Sequence, residues 1–167
     1  LNKGNISLIE LYKKTKIKFT VKVSNVTKNK IEYINHLNYP NLDLVSLIKM
    51  TTSIPLFFKP VLYNDCLYCD GATGGGLPIE YNKSKNYLCI YLSLYINKGS
   101  ITNILEYIGN IYRIYSSEND TNMYKNKKNI INIDLNEPLK IDINNKEKNK
   151  YFYEGFIQTK HYFNDLK

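Results

Sequence analysis

The stretch Thr52-Ser53-Ile54-Pro55-Leu56-Phe57-Phe58-Lys59-Pro60-Val61, the hairpin arm Tyr63 to Asp70, and the closing run Gly71-Ala72-Thr73-Gly74-Gly75-Gly76-Leu77-Pro78-Ile79 change local character several times. Pro55 disfavours helical geometry at the residue before it, so a helix entering from upstream ends here. Leu56 to Val61 is apolar but contains Pro60, which predicts irregular backbone. Asn64-Asp65 predicts a tight turn between two short strands, the second ending at Asp70-Gly71. A glycine-rich loop follows and is closed by Leu77-Pro78-Ile79.

Upstream, Ser7-Leu8-Ile9-Glu10 has capping-box spacing, with Leu8, Leu11, Tyr12 and Thr15 on one helical face. Lys18 to Val26 alternates: Phe19, Val21 and Val23 share one side, and Lys18, Thr20, Lys22 and Ser24 the other, which predicts a strand. Lys28-Asn29-Lys30 is the turn, and Ile31 to Asn35 returns as the hairpin partner. Asp43 caps a helix through Leu44, Val45, Leu47, Ile48 and Thr51.

Downstream, Asn86 to Tyr95 is an unbroken apolar run of β-branched and aromatic residues, the composition of a strand buried on both faces of a parallel sheet. Ser100 caps a helix with Ile101, Ile104, Leu105, Ile108, Ile111, Tyr112 and Tyr115 at helical spacing. Residues 116–129 are polar and predict a surface loop. Ile130 to Leu135 and Leu139 to Ile143 read as strands, and Glu147 to Leu166 as a final amphipathic helix with Phe152, Phe156, Ile157, Tyr162 and Phe163 on its apolar side. The pattern predicts an α/β fold, a mainly parallel sheet flanked by helices.

The 167 residues, 43% hydrophobic and 23% charged, suit one domain or part of one. No apolar run approaches the ~18 residues needed to span a bilayer. The net charge of +8 is almost all lysine, since Arg113 is the only arginine. Readers of base edges favour the planar fork of arginine, so no nucleic-acid partner is expected. Cys66, Cys69 and Cys89 are an odd count at low density, which predicts a reducing, intracellular compartment. Cys66 and Cys69 lie three apart on a strand and point to opposite faces, so no metal site is expected; nor is a cofactor.

Catalytic groups in α/β enzymes sit beyond the C-terminal ends of strands. Asp70 has that place, although Asp-Gly is also a common turn pair. His36 lies in an Asn-rich loop and His161 on the last helix, which predicts exposed or half-buried side chains rather than catalytic bases. No Gly-x-Ser-x-Gly occurs, and no Gly-Lys-Ser/Thr follows the glycine run, so neither a nucleophile elbow nor a P-loop is present in this sequence.

In order and spacing, Thr52 to Ile79 resembles the C-terminal part of the patatin-like phospholipase catalytic domain. Ser53-Ile54-Pro55 resembles the family's Ser-Ile-Pro stretch, Asp70-Gly71-Ala72 its Asp-Gly-Ala, and Pro78-Ile79 the end of its Asn-rich turn. Leu8 to Lys16 and Lys18 to Val26 resemble the family's preceding helix and strand, and Glu147 to Phe163 with Gly155 its closing helix. One departure is Gly75-Gly76, where the family often has Asn-Asn.

The resemblance implies that residues 1–167 are the C-terminal portion of one patatin-like domain, a partial domain. It implies a serine acyl hydrolase acting on phospholipid or acylglycerol through a Ser-Asp dyad, with Asp70 as the base and Gly71, Ala72, Ser53, Pro55 and Pro78 supporting it. The family's nucleophile and oxyanion loop lie before the segment matched by Leu1, so this chain alone is expected to be inactive. Peripheral contact with anionic membrane is the further partner expected from the lysine excess. The alternatives are an inactive lipid- or membrane-surface module and a basic nucleic-acid-binding domain.

Overall fold

The computed structural model describes residues 5–75, 77–82, 84, 86–93, 101, 104, 107–108, 110–111, 114, 129–134 and 143–165. Residues 116–128 of the predicted 116–129 loop, 139–142 of the predicted 139–143 strand, and the predicted Ser100 cap lie outside them. In chain order the elements are α1 (Leu8–Thr15), β1 (Thr20–Asn25), β2 (Lys30–Asn35), α2 (Leu44–Thr52), β3 (Val61–Tyr63), β4 (Cys66–Asp70), 3-10 turns at Gly71–Gly74 and Ile79–Tyr81, β5 (Cys89–Ser93), β6 (Ile130–Asp134) and α3 (Asn145–Asp165). The described positions between 104 and 114 are helical, as their spacing predicts. Among the described residues, no helix is long and apolar enough to cross a membrane.

Local chemistry sets the first elements. Ser7 and Glu10 form the predicted capping box: the Ser7 amide donates to Glu10 Oε2 at 2.9 Å and the Glu10 amide to Ser7 Oγ at 3.4 Å. Asp43 caps α2 through the Ser46 amide at 2.8 Å. Asn64 and Asp65 have φ of 46° and 58°, which fits the tight two-residue link of the β3–β4 hairpin.

The main sheet has order β2-β1-β4-β3, and every pairing in it is antiparallel. This corrects the expectation of a mainly parallel sheet. Two hairpins with tight turns force their strands antiparallel, and β1 joins them by pairing Val23 with Asp70. Among the described residues, parallel pairing occurs in a separate two-stranded sheet, where Cys89 to Ser93 align with Ile130 to Asp134. There Ile90 and Leu92 are 63% and 45% exposed, so this strand is not buried on both faces.

Val23, Ile34, Leu42, Leu47, Met50, Cys66 and Tyr68, joined by Leu8 of α1, form the core beneath α2. Each fully buried aliphatic side chain contributes roughly 1.5–3 kcal/mol. His36 is buried, not exposed, with its ring stacked on Tyr12 at 3.9 Å between centroids. On α3 the half-buried positions include Tyr151, Gly155, Gln158 and Tyr162, while Phe152 and Phe156 are 78% and 54% exposed. The inward face thus keeps the predicted Ile157 and Tyr162 and leaves out Phe152, Phe156 and Phe163. Gln158 fixes that orientation by bonding both the amide and the carbonyl of Asp134.

A polar network closes one end of the β1–β2 hairpin. Glu32 accepts from Tyr39 Oη at 2.6 Å and Asn25 Nδ2 at 2.9 Å, and lies 3.2 Å from Lys30 Nζ. Burial pushes the Glu32 carboxyl up, but the bonds from Tyr39, Asn25 and Lys30 outweigh it and hold it below 4.5. Burial and the Glu32 bond push the Tyr39 phenol up. A depressed carboxyl stabilises the fold above its unfolded value and loses that contribution as pH falls through the folded one. Urea unfolding at pH 6 and pH 3 should therefore show a smaller acid loss for Glu32→Gln than for wild type, with the variant less stable by on the order of 1 kcal/mol at pH 6. Equal acid losses would remove Glu32 from the account.

Candidate active site

Asp70 is the last residue of β4 and caps the 3-10 turn that follows. Its backbone is tied on three sides. The amide donates to the Ser53 carbonyl at 3.0 Å, and the carbonyl accepts from Ser24 Oγ at 3.0 Å and Thr73 Oγ1 at 2.9 Å. Ser24 Oγ and Thr73 Oγ1 are also in contact with each other, so their two hydroxyl protons are shared among these three contacts. The side chain is held separately, because the Ala72 amide donates to Oδ1 at 2.8 Å. Burial pushes the Asp70 carboxyl above the ordinary 3.8, partly opposed by that amide. The neighbouring Cys69 thiol is pushed up by burial and by the Asp70 charge.

The sequence-predicted site residues divide by role. Ser53 is buried, and its hydroxyl donates to the Lys49 carbonyl at 2.6 Å, so it supports Asp70 through its backbone. Gly71 is buried against β1, where a Cβ would lie 2.3 Å from the Lys22 carbonyl oxygen. Ala72 supplies the oriented amide and accepts the Gly75 N–H at 3.1 Å. These residues converge on Asp70. Pro55 stands two residues beyond Ser53 and opens a turn in which the Ile54 carbonyl accepts the amides of Phe57 and Phe58. Pro78 heads the second 3-10 turn and accepts the Tyr81 N–H at 3.2 Å.

Several contributors were not predicted. Lys22 and Ser24 sit on the polar side of β1, whose alternation suggests a solvated face, yet both are buried under the Asp70 turn. Lys22 Nζ donates to the carbonyls of Gly74 at 3.1 Å and Gly75 at 3.0 Å. Tyr81 anchors the second turn to the hairpin: it stacks on Tyr33 at 4.6 Å, lies under Lys18 at 5.3 Å and accepts from Asn35 Nδ2 at 3.2 Å. The available signal was that glycine run, since carbonyls without side chains beside them need donors from elsewhere.

A half-buried carboxylate at a strand end, fixed by one amide and carried on a glycine turn, can accept a proton from a group placed beside it. Residues 8–82 match the family model described as Patatin-like phospholipase. The chain is 29% identical over 86 residues to the Probable lipid hydrolase 463L of Invertebrate iridescent virus 6, covering 49% of this chain and 30% of the viral protein. VipD from Legionella pneumophila has a similar fold, with a TM-score of 0.62 and 14% identity over 96% of this chain and 35% of that one. The chain thus spans about a third of the length of each.

Proposed function

We propose that this chain supplies the aspartate of a Ser-Asp dyad in a lipid acyl hydrolase, with the serine provided from outside this sequence. The observation that carries the proposal is the Asp70 carboxylate, with one oxygen engaged by Ala72 and with burial raising its basicity. The serine hydroxyl attacks the ester carbonyl carbon of a phospholipid or acylglycerol while its proton passes to Asp70. Collapse of the tetrahedral intermediate returns that proton to the departing alcohol, leaving an acyl-serine that water hydrolyses by the same route. Backbone amides outside this sequence hold the oxyanion, so the chain by itself is inactive.

Asp70 works as a base only when ionised. Because burial raises its pKa, the acid limb of kcat/KM in the full-length protein should fall above the 3.8 of an ordinary aspartate. A pH-rate profile on a soluble ester measures this, and a limb at or below that value contradicts Asp70 as the base. Contact with an anionic lipid surface is part of the same proposal. Its support is the exposed run Leu56, Phe57, Phe58 and Lys59, close in sequence to the Ser53 carbonyl that holds Asp70.

A further inference from the structure

Among the described residues, Lys22 is the one buried lysine, at 9% exposure in the middle of β1. A buried ammonium is unfavourable unless it is well paired. Here it donates to the Gly74 carbonyl at 3.1 Å and the Gly75 carbonyl at 3.0 Å, where the Asp70-capped turn ends. Carbonyls at the end of a short helix lack partners within it and attract cations. The backbone of the same residue meets the other end of the turn. The Lys22 carbonyl accepts Thr51 Oγ1 at 3.0 Å, and Gly71 is pressed so closely against it that a Cβ would lie 2.3 Å away.

We propose that Lys22 is a positioning residue for Asp70, an inference that rests on Asp70 being the dyad base. Its backbone seats the start of the turn and its ammonium holds the end. Between them lies Ala72, whose N–H aims the carboxylate and whose carbonyl accepts from Gly75. The ammonium acts on the backbone of the turn, not on the reacting atoms. Loss of these bonds releases Gly74 and Gly75, lets Ala72 move, and lets the carboxylate leave the line of proton transfer. Displacements of about 1 Å at such a group cost up to about 100-fold in rate.

The test uses the full-length protein as wild type, Lys22→Met, Lys22→Arg and Asp70→Asn. The readouts are p-nitrophenyl butyrate hydrolysis, circular-dichroism melts and hydrogen exchange of the peptide covering residues 70–76. Methionine keeps an unbranched apolar stem and removes the donors. Lys22→Met should exchange faster in that peptide and lose roughly 10- to 100-fold in kcat, with KM within about twofold. Lys22→Arg should recover most of both, a rescue that a general loss of fold would not give. Unchanged exchange in Lys22→Met overturns the clamp. Faster exchange at wild-type kcat, with Asp70→Asn inactive, overturns the positioning role and leaves the dyad standing. An active Asp70→Asn removes the dyad and this proposal together. If Lys22→Met does not fold, Lys22→Gln replaces it: an intermediate kcat supports the role and a wild-type kcat overturns it.

Discussion

Replacing Asp70 by Asn in the full-length protein should lower ester hydrolysis by about 10²- to 10⁴-fold while leaving the melting temperature unchanged or raised. The two halves of this expectation have separate causes. Asparagine keeps an acceptor at the position of Oδ1, so the Ala72 amide retains its partner, and the bonds to Ser53, Ser24 and Thr73 use only the Asp70 backbone. What the variant loses is the ability to take a proton. The linkage sign follows from burial, which raises the folded pKa above its unfolded value. Such a group contributes stability below the unfolded pKa and loses it as pH rises through the folded one, so at neutral pH the ionised carboxylate is a net cost that asparagine removes. Initial rates and melts on the same preparations test both halves. Wild-type turnover eliminates Asp70 as the base, and a joint loss of turnover and folding makes it a structural residue.

Features encoded within a few residues were legible before the structure. The Ser7 and Asp43 caps, the Asn64-Asp65 turn and the helix stop before Pro55 each depend on side-chain chemistry acting on the adjacent backbone. Pairing is different, because it joins distant segments. The contact of Val23 with Asp70 links strands separated by β2, α2 and β3, and nothing in either strand specifies its direction. The apolar run around Cys89 to Ser93 did predict parallel pairing correctly, but only for a two-stranded sheet, and it overstated the burial of Ile90 and Leu92.

The site shows the same division. Asp70-Gly71 at a strand end was visible, and the structure adds the hydrogen bonds that hold it in place. The burial of Lys22 and Ser24 was not legible, because alternation tells which residues share a face, not what later covers it. The cover is the glycine turn, about 50 residues further on, whose carbonyls accept from Lys22. On α3, Phe152 and Phe156 looked inward by hydrophobicity alone. The observed face follows instead from Gln158 bonding the Asp134 backbone, and from Gly155, where an added Cβ would sit 3.8 Å from Ile133 Cδ1.

That last distance separates three glycine substitutions whose outcomes should differ widely. Gly71→Ala should be the most damaging, because its Cβ would meet Lys22 O at 2.3 Å and Lys22 C at 2.5 Å, both backbone atoms. They cannot retreat: Lys22 is paired with Tyr33 in the sheet, and its carbonyl is held by Thr51. The turn must move instead, taking Asp70 with it, at a cost of about 3 kcal/mol or more, or roughly 6–12 °C in Tm for a chain of this size. Gly74→Ala meets Ile31 Cδ1 at 2.5 Å and Cγ1 at 2.7 Å, the end of a side chain at the sheet surface that can change rotamer, so its cost should stay under about 1 kcal/mol. Gly155→Ala makes an ordinary contact within α3 and should gain up to about 1 kcal/mol from helix propensity. Thermal melts of the three variants rank them directly. If Gly71→Ala melts with wild type, the close seating of the turn on β1 is wrong; if it melts lower but Gly74→Ala falls as far, the turn is fragile throughout and Lys22 does not set its position.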